Sequence, residues 1–489
     1  MSQRAVSTEV SVAIIGAGFA GICMAIKLLE AGIRDFVVFE AASGVGGTWR
    51  ENTYPGCACD IPSHMYSYSF ARHPGWSRKF SPQPEILAYI EATVDKYGIR
   101  PFIRFDSEIV DASFDEAAGR WRLRTRGGEE ASARVVVAGV GPLRVPSIPR
   151  LPGIESFEGA AFHSARWDHG YDLTGKRVAV IGTGASAIQF VPQIAPKVAH
   201  LALFQRTPPW ILPKPDRSFT EGERGLFARF PGVEHLYRAA LYCRLEAAAV
   251  GFVRRAPILR VATALARRHL HKQVADPALR AKLTPDYEIG CKRILLANDY
   301  YPALARPNVE VITDGIDHVA ADAIVTRGGQ RVACDAIIYG TGFRVRDFLA
   351  PMAVHGLGGR ELGEVWRESA EAFYGIAVSG FPNFYVLVGP NTGLGHNSII
   401  FMIEAQVRFV MHCVRRILGE GLRTLDVRPE VQRRFMADLQ ARMGRTVWQS
   451  GCQSWYLDEQ GHNATLWPGY TWQYWLRTRK VRAGDFAAA

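Results

Sequence analysis

The strongest constraint on this chain lies between positions 10 and 40. Apolar Val12-Ala13-Ile14-Ile15 runs into Gly16-Ala17-Gly18-Phe19-Ala20-Gly21, then a stretch of helical periodicity, then Phe36-Val37-Val38-Phe39-Glu40. The order strand, glycine turn, helix, strand is that of a nucleotide-binding unit. Gly16 makes the tight turn, Gly18 lets backbone approach a pyrophosphate, and Gly21 lets the helix pack closely on the strand. The helix N-terminus adds free N–H donors and about half a positive charge. Glu40, about 20 residues after the glycines, is placed to accept both hydroxyls of an adenosine ribose. A carboxylate there repels a 2′-phosphate, so the unit suits FAD or NAD.

A second unit of the same kind begins beyond a proline-rich crossing, Pro142 to Pro152, which is too irregular for a helix or sheet interior and marks a domain boundary. Val178-Ala179-Val180-Ile181 reads as a buried strand, Gly182-Thr183-Gly184-Ala185-Ser186-Ala187 as the turn, Ile188 to Ile194 as the helix, and Leu201-Ala202-Leu203-Phe204 as the second strand. This strand ends in Gln205-Arg206-Thr207 where the first unit has an acid. An arginine there accommodates a 2′-phosphate, so the second unit is expected to take NADPH. The two units differ in cofactor signature and are not a tandem repeat. A flavin and a nicotinamide brought against one another imply hydride transfer between them.

At 489 residues the chain has room for two or three domains. No apolar run reaches the roughly 18 residues of a membrane span, and Met1-Ser2-Gln3-Arg4 leads towards the first strand without a signal-peptide core, so a cytoplasmic protein is expected. The eight cysteines show no paired framework, consistent with a reducing compartment. The close pair Cys57-Ala58-Cys59 has the wrong spacing for a C-x2-C metal site. The net charge of +11 is concentrated: residues 217 to 285 carry 13 Lys+Arg and 5 Asp+Glu. With no nucleic-acid reader motif, and with Leu, Ala and Val between the charges, this segment reads as a solvated helical face, with adhesion to an anionic membrane surface as the second reading.

The remaining elements follow in order. Ser81 is expected to cap a helix carrying Ile86, Leu87, Ile90 and Val94 on one face. Ile103 to Phe114 and Trp121 to Thr125 read as antiparallel strands, and Val135 to Gly139 returns to the parallel sheet. Strands resume at Val309 to Ile312 and Ala336 to Tyr339. From Phe373 the chain is expected to rejoin the first domain through Phe384 to Pro390 and a helix from Ser398 to Leu418. A tail dense in Trp and Tyr from Cys452 onward is expected to pack back over the core, with stacking against a substrate as the second reading. The fold class is therefore α/β, with two Rossmann-like dinucleotide-binding domains, for FAD and NADPH, and a helical insert at 217–285. The FAD domain comprises 1–148 and 374–489; the NADPH domain is 149–373.

Two longer patterns carry a resemblance. Phe157-Glu158-Gly159-Ala160-Ala161-Phe162-His163-Ser164-Ala165-Arg166-Trp167-Asp168 matches F-x-G-x3-H-x3-W-[PD], and Gly46-Gly47-Thr48-Trp49 through Tyr54-Pro55-Gly56 to Asp60 matches [AG]-G-x-W-x4-[FY]-P-[GM]-x3-D. With the paired nucleotide units, the chain resembles a type I Baeyer–Villiger monooxygenase, within the class B flavoprotein monooxygenases. The resemblance implies FAD contacts at Gly47, Thr48, Trp49, Asp60, Tyr66 and Val110 besides Gly16, Gly18, Gly21 and Glu40. It implies NADP contacts at Ala58, Cys59, Gly182, Thr183, Gly184, Ala185, Ser186, Ala187, Ile188, Gln205, Arg206, Lys292 and Arg293. Many family members have an arginine where Ala58 stands, so Ala58 offers only its backbone.

The same resemblance implies the chemistry: NADPH reduces FAD, dioxygen adds to form a peroxyflavin, and its anion attacks a ketone to give an ester or lactone. Arg293 would stabilise the anion and Asp60 would be the counterion of Arg293, with Lys292 near the NADP phosphate. His163 and Trp167, with Phe157 and Gly159, are assigned structural roles between the domains. The rival reading is a sulfur or nitrogen oxygenase of the same class. A disulfide reductase would need a C-x4-C beside the flavin, and a non-catalytic flavin-bound sensor or scaffold would consume no NADPH with substrate. The substrate expected is a small apolar ketone with dioxygen; no metal and no nucleic acid are expected.

Overall fold

A computed structural model describes residues 8–452, 454–458 and 460–489. The strand Thr8–Ile15 lies in the middle of an eight-stranded sheet. It pairs in parallel with Phe36–Phe39 on one side, setting Ile15 beside Phe39, and with Glu130–Ala138 on the other, setting Ile15 beside Ala138. Helices cover this part of the sheet, which is why its strands read as unbroken apolar runs rather than alternating ones. The helix Phe19–Glu30 rises from the glycine turn, and Ile399–Gly419 packs against it, its first turn capped by the Ser398 hydroxyl accepting from the Ile400 N–H.

Two local expectations are corrected. Residues 103–114 are not one antiparallel strand: Ile103–Arg104 pairs in parallel with Val38–Phe39, the chain turns through Asp106 at φ +53°, and Ile109–Asp115 then pairs antiparallel with Arg120–Thr125. Ser81 does not cap the next helix either. The helix Gln83–Lys96 starts after an extended Pro82 without a side-chain cap, because the Ser81 hydroxyl donates instead to Ser63 Oγ at 2.6 Å.

The second sheet has five parallel strands in the order Val309–Ile312, His200–Phe204, Arg177–Ile181, Ala336–Tyr339, Ala160–His163. The fingerprint segment that reads as a linker therefore supplies an edge strand, with His163 beside Tyr339. The helical insert leaves this unit through a short parallel stem, Ile211–Leu212 against Leu295–Leu296, and comprises Glu221–Arg229, Pro231–Arg254, Ile258–Gln273 and Pro277–Lys282. Thr220 and Glu223 close its first helix with a reciprocal capping box.

The chain rejoins the first sheet earlier than the boundary at 373. Ala353–His355 pairs with Asp111–Ser113, and Phe384–Val386 then pairs with Val136–Ala138. The aromatic tail packs inward only in part: Tyr456, Trp467 and Tyr474 are buried, and the Tyr474 hydroxyl donates to the Tyr374 carbonyl at 2.6 Å, whereas Trp455, Trp472 and Trp475 are exposed.

One cysteine expectation is overturned. Cys291 and Cys452 form a disulfide, Cα to Cα 6.3 Å, across 161 residues of sequence. No local spacing advertises a pair so far apart; the folding of the tail onto the segment after the insert creates it. The cysteine-based argument for a reducing compartment falls with it. No helix of the described residues is long and apolar enough to cross a membrane.

Candidate active site

A cleft of about 1250 Å³ runs between the two sheets, and both glycine turns open into it. At the first, Gly16 has φ +97°, and a Cβ on Gly21 would lie 1.8 Å from the Gly16 carbonyl oxygen, so only glycine permits the close packing of helix on turn. Gly18 and Gly47 face one another so tightly that a Cβ on Gly47 would stand 3.1 Å from Gly18 Cα. Bare backbone therefore forms both sides of this end of the cleft, which fits a pyrophosphate. Glu40 is buried, and its carboxylate accepts from the N–H groups of Ala17 at 2.6 Å and Ala42 at 2.8 Å. Burial raises its pKa, and those two donors oppose the rise.

The second fingerprint builds the floor. Gly47, Thr48, Trp49, Ala58, Cys59, Asp60 and Tyr66 all line the cleft, and the Trp49 indole donates to the Tyr66 hydroxyl at 3.2 Å. Ile109, not Val110, reaches the lining, together with Ser107 and Glu108. Val110 sits where the pairing of this strand with Arg120–Thr125 slips register, between Ile109 beside Thr125 and Asp111 beside Arg124. Cys57 and Cys59 are buried thiols; burial pushes Cys57 up to about 11 and Cys59 well above its ordinary range, so neither is a thiolate at neutral pH.

At the second turn Gly182, Thr183, Gly184, Ala185, Ser186 and Arg206 line the cleft, whereas Ala187 and Ile188 are buried beneath it. Gln205 lies outside the lining. Its amide donates to the Lys282 carbonyl at 2.7 Å, and this tie to the insert turns it out of the lining. Lys292 and Arg206 converge from different elements. Lys292 is held below its ordinary pKa, first by burial and then by the positive charge of Arg206, and its ammonium lies 4.7 Å from the centre of the Tyr287 ring. Two cations held near one another in a cleft fit a multiply charged anion such as a phosphate.

Arg293 also lines the cleft. Its Nε and Nη2 donate to the same oxygen of Asp60, Oδ2, at 3.0 and 2.6 Å. The Asp60 carboxylate is the largest influence raising the pKa of Arg293 above its already high value. Tyr456 from the tail is buried within the field of this pair, its hydroxyl pushed up to about 12 by burial and drawn back by Arg293. The disulfide holds the tail one residue from Lys292.

The interdomain fingerprint stands outside the lining except at Arg166. His163 is buried; its Nδ1 accepts from the Ala165 N–H at 3.1 Å, and burial lowers its pKa. A Cβ on Gly159 would strike the Asp335 carbonyl oxygen at 2.4 Å, Phe157 packs under the second sheet, and Trp167 lies between Phe162 and Phe190. Gln189 carries no sequence signal, yet its amide accepts from the Tyr54 hydroxyl and donates to the Ala58 carbonyl, both at 2.9 Å, joining the second nucleotide unit to the first. Tyr456 is likewise invisible in the sequence except as one aromatic among many.

The fold and cleft together define a two-dinucleotide oxidoreductase. Residues 9–349 match the flavin-binding monooxygenase-like family. The chain is 50% identical to a Baeyer-Villiger monooxygenase of Pseudomonas aeruginosa, covering 99% of this chain and 92% of that protein, and 49% identical to one of Streptomyces coelicolor, covering 98% and 93%. Among solved structures it is similar to cyclohexanone monooxygenase from Rhodococcus sp. Phi1 bound to NADP+, with a TM-score of 0.89 at 28% identity over 99% of both chains. It is also similar to a steroid monooxygenase bound to NADP, with a TM-score of 0.87 at 32% identity over 98% of this chain and 99% of that one. The chain belongs to the flavin-binding monooxygenase-like family.

Proposed function

We propose that this enzyme binds FAD and NADPH and inserts one atom of dioxygen beside the carbonyl of an apolar ketone, giving an ester or lactone. The observation that carries the reading is the Arg293–Asp60 ion pair inside a cleft served by two dinucleotide turns. FAD reduced by NADPH supplies the electrons that activate dioxygen.

The chain's own residues supply the rest. Gly16, Gly18, Gly47 and Glu40 form the pyrophosphate and ribose end for FAD, with Gly21 packing the helix beneath them and Thr48, Trp49 and Tyr66 along it. Arg206 and Lys292 hold the 2′-phosphate of NADPH, which explains the choice of NADPH over NADH. Arg293 stabilises negative charge on the oxygen that attacks the ketone. Its guanidinium cannot lose a proton at working pH, so it acts as a fixed cation and not as an acid. Asp60 holds the plane of that guanidinium through Nε and Nη2, leaving Nη1 outside the pair. Tyr456 and the tail tethered through Cys452 exclude water from the same corner.

The test is Arg293→Ala. The variant is expected to retain bound FAD and to be reduced by NADPH, while ester formation falls by roughly two to three orders of magnitude. Stopped-flow spectra combined with product mass spectrometry separate the two steps, and unchanged ester yield would remove Arg293 from the chemistry. A panel of linear, cyclic and aryl ketones and sulfides, assayed together, distinguishes carbonyl from heteroatom oxygenation.

A further inference from the structure

The helix Ile258–Gln273 in the insert buries one apolar face and leaves a second apolar stripe in solvent. Leu259, Ala266 and Leu270 face inward and are buried. Along the flank of that face Ile258, Val261 and Leu265 follow one another at i, i+3 and i+7 and are 49%, 67% and 47% exposed. This stripe continues along the same face into Arg268 and Lys272. Residues 254–273 contain Arg254, Arg255, Arg260, Arg267, Arg268 and Lys272 and no Asp or Glu. All six cations are exposed, and none forms an ion pair among the described residues, whereas arginines elsewhere on the surface are repeatedly matched to carboxylates, as in Arg78–Asp216, Arg177–Asp335 and Arg217–Glu223.

We propose that this face docks on an anionic lipid bilayer, with Ile258, Val261 and Leu265 entering the interface and the surrounding cations meeting the headgroups. An apolar stripe flanked by arginine and lysine is the pattern of a helix that lies in a membrane surface, where long basic side chains reach the phosphates while apolar ones sink below them. A second copy of the chain is the poorer occupant, since pairing the same face would bring the unmatched Arg268 and Lys272 of one copy against those of the other, with the other cations of this acid-free segment nearby. The inner side of the helix backs the stem strand Ile211–Leu212, whose partner Leu295–Leu296 closely follows Arg293. The seated face thus lies behind one wall of the cleft. For an enzyme of apolar ketones, which rests on the function proposed above, this position lets substrate partition from the bilayer into the site.

The experiment uses the full-length flavin-loaded enzyme and vesicles of phosphatidylcholine alone or mixed with phosphatidylglycerol. Co-sedimentation is expected with the anionic vesicles only and is expected to disappear as salt is raised. Arg267→Gln with Arg268→Gln is expected to weaken binding about 30-fold, each surface cation contributing about a fivefold factor. Val261→Asp with Leu265→Asp changes exposed positions only and is expected to abolish binding while NADPH oxidation with a water-soluble ketone is unchanged. Equal sedimentation with and without phosphatidylglycerol would overturn the proposal. So would a concentration-dependent dimer in sedimentation velocity that Val261→Asp with Leu265→Asp dissolves, or preferential binding of the same face to polyglutamate. None of these readouts depends on which oxygenation the enzyme performs.

Discussion

Arg293 reaches across 233 positions of sequence to donate two hydrogen bonds to one oxygen of Asp60. The two residues belong to different nucleotide-binding units, so the ion pair is also a joint between them. Each unit alone would present a charge in an open half-cleft; together they present an oriented guanidinium.

Asp60→Ala is expected to lower ester formation without removing FAD. Losing charge-assisted hydrogen bonds costs about 1.5–3 kcal/mol, or roughly tenfold to a hundredfold in rate. Single-turnover kinetics should place the loss after flavin reduction. A variant that forms ester at the parental rate would show that Arg293 needs no partner.

Arg206→Ala and Lys292→Ala are each expected to raise the KM for NADPH by about 10- to 100-fold while changing the KM for NADH little. The double variant should do less than the product of the two, because both cations address one phosphate. Steady-state kinetics with both nucleotides measures this. Equal losses with NADPH and NADH would place the pair away from the 2′-phosphate.

Peptide mapping under non-reducing conditions should join the peptides that contain Cys291 and Cys452. Reduction, or Cys452→Ser, is expected to lower stability by up to about 5 kcal/mol on the loop-closure argument and to raise hydrogen exchange in the tail. Finding both thiols free and alkylated in the untreated enzyme would remove this tether.

Asp426 gives a pH dependence. Burial pushes its carboxyl up to about 6 from an ordinary 3.8, although the Gly380 N–H donates to it. Between about pH 4 and 6 the folded chain then binds more protons at this site than the unfolded chain. Its contribution to stability is therefore greatest below pH 4 and is lost as pH rises through 6. Asp426→Asn should raise the melting temperature at pH 7 to 8, by the equivalent of about 1–3 kcal/mol, and the gain should vanish near pH 4. Thermal melts across that range test it; an equal shift at every pH would refute the titration.

Both nucleotide units were legible in the sequence because their requirements are local. A tight turn, an approach of bare backbone and a helix pressed on a strand each demand glycine at a fixed offset, as at Gly16, Gly18 and Gly21, and the buried strands on either side must be apolar throughout. The residue ending the second strand, Glu40 or the Gln205-Arg206 pair, is also local information. The joint between Asp60 and Arg293 entered through family resemblance, since no spacing connects positions so far apart.

Tertiary structure alone decided what faces what. It turned Gln205 to the Lys282 carbonyl, put Ile109 rather than Val110 in the lining, set Gln189 between Tyr54 and Ala58, and brought Cys452 to Cys291. Sequence determined the two binding turns and the strands that carry them, because glycine conformation and strand burial act within a few residues. Packing decided the contacts between those units, because side chains of distant segments compete for the same partners only once the sheets, the insert and the tail have come together.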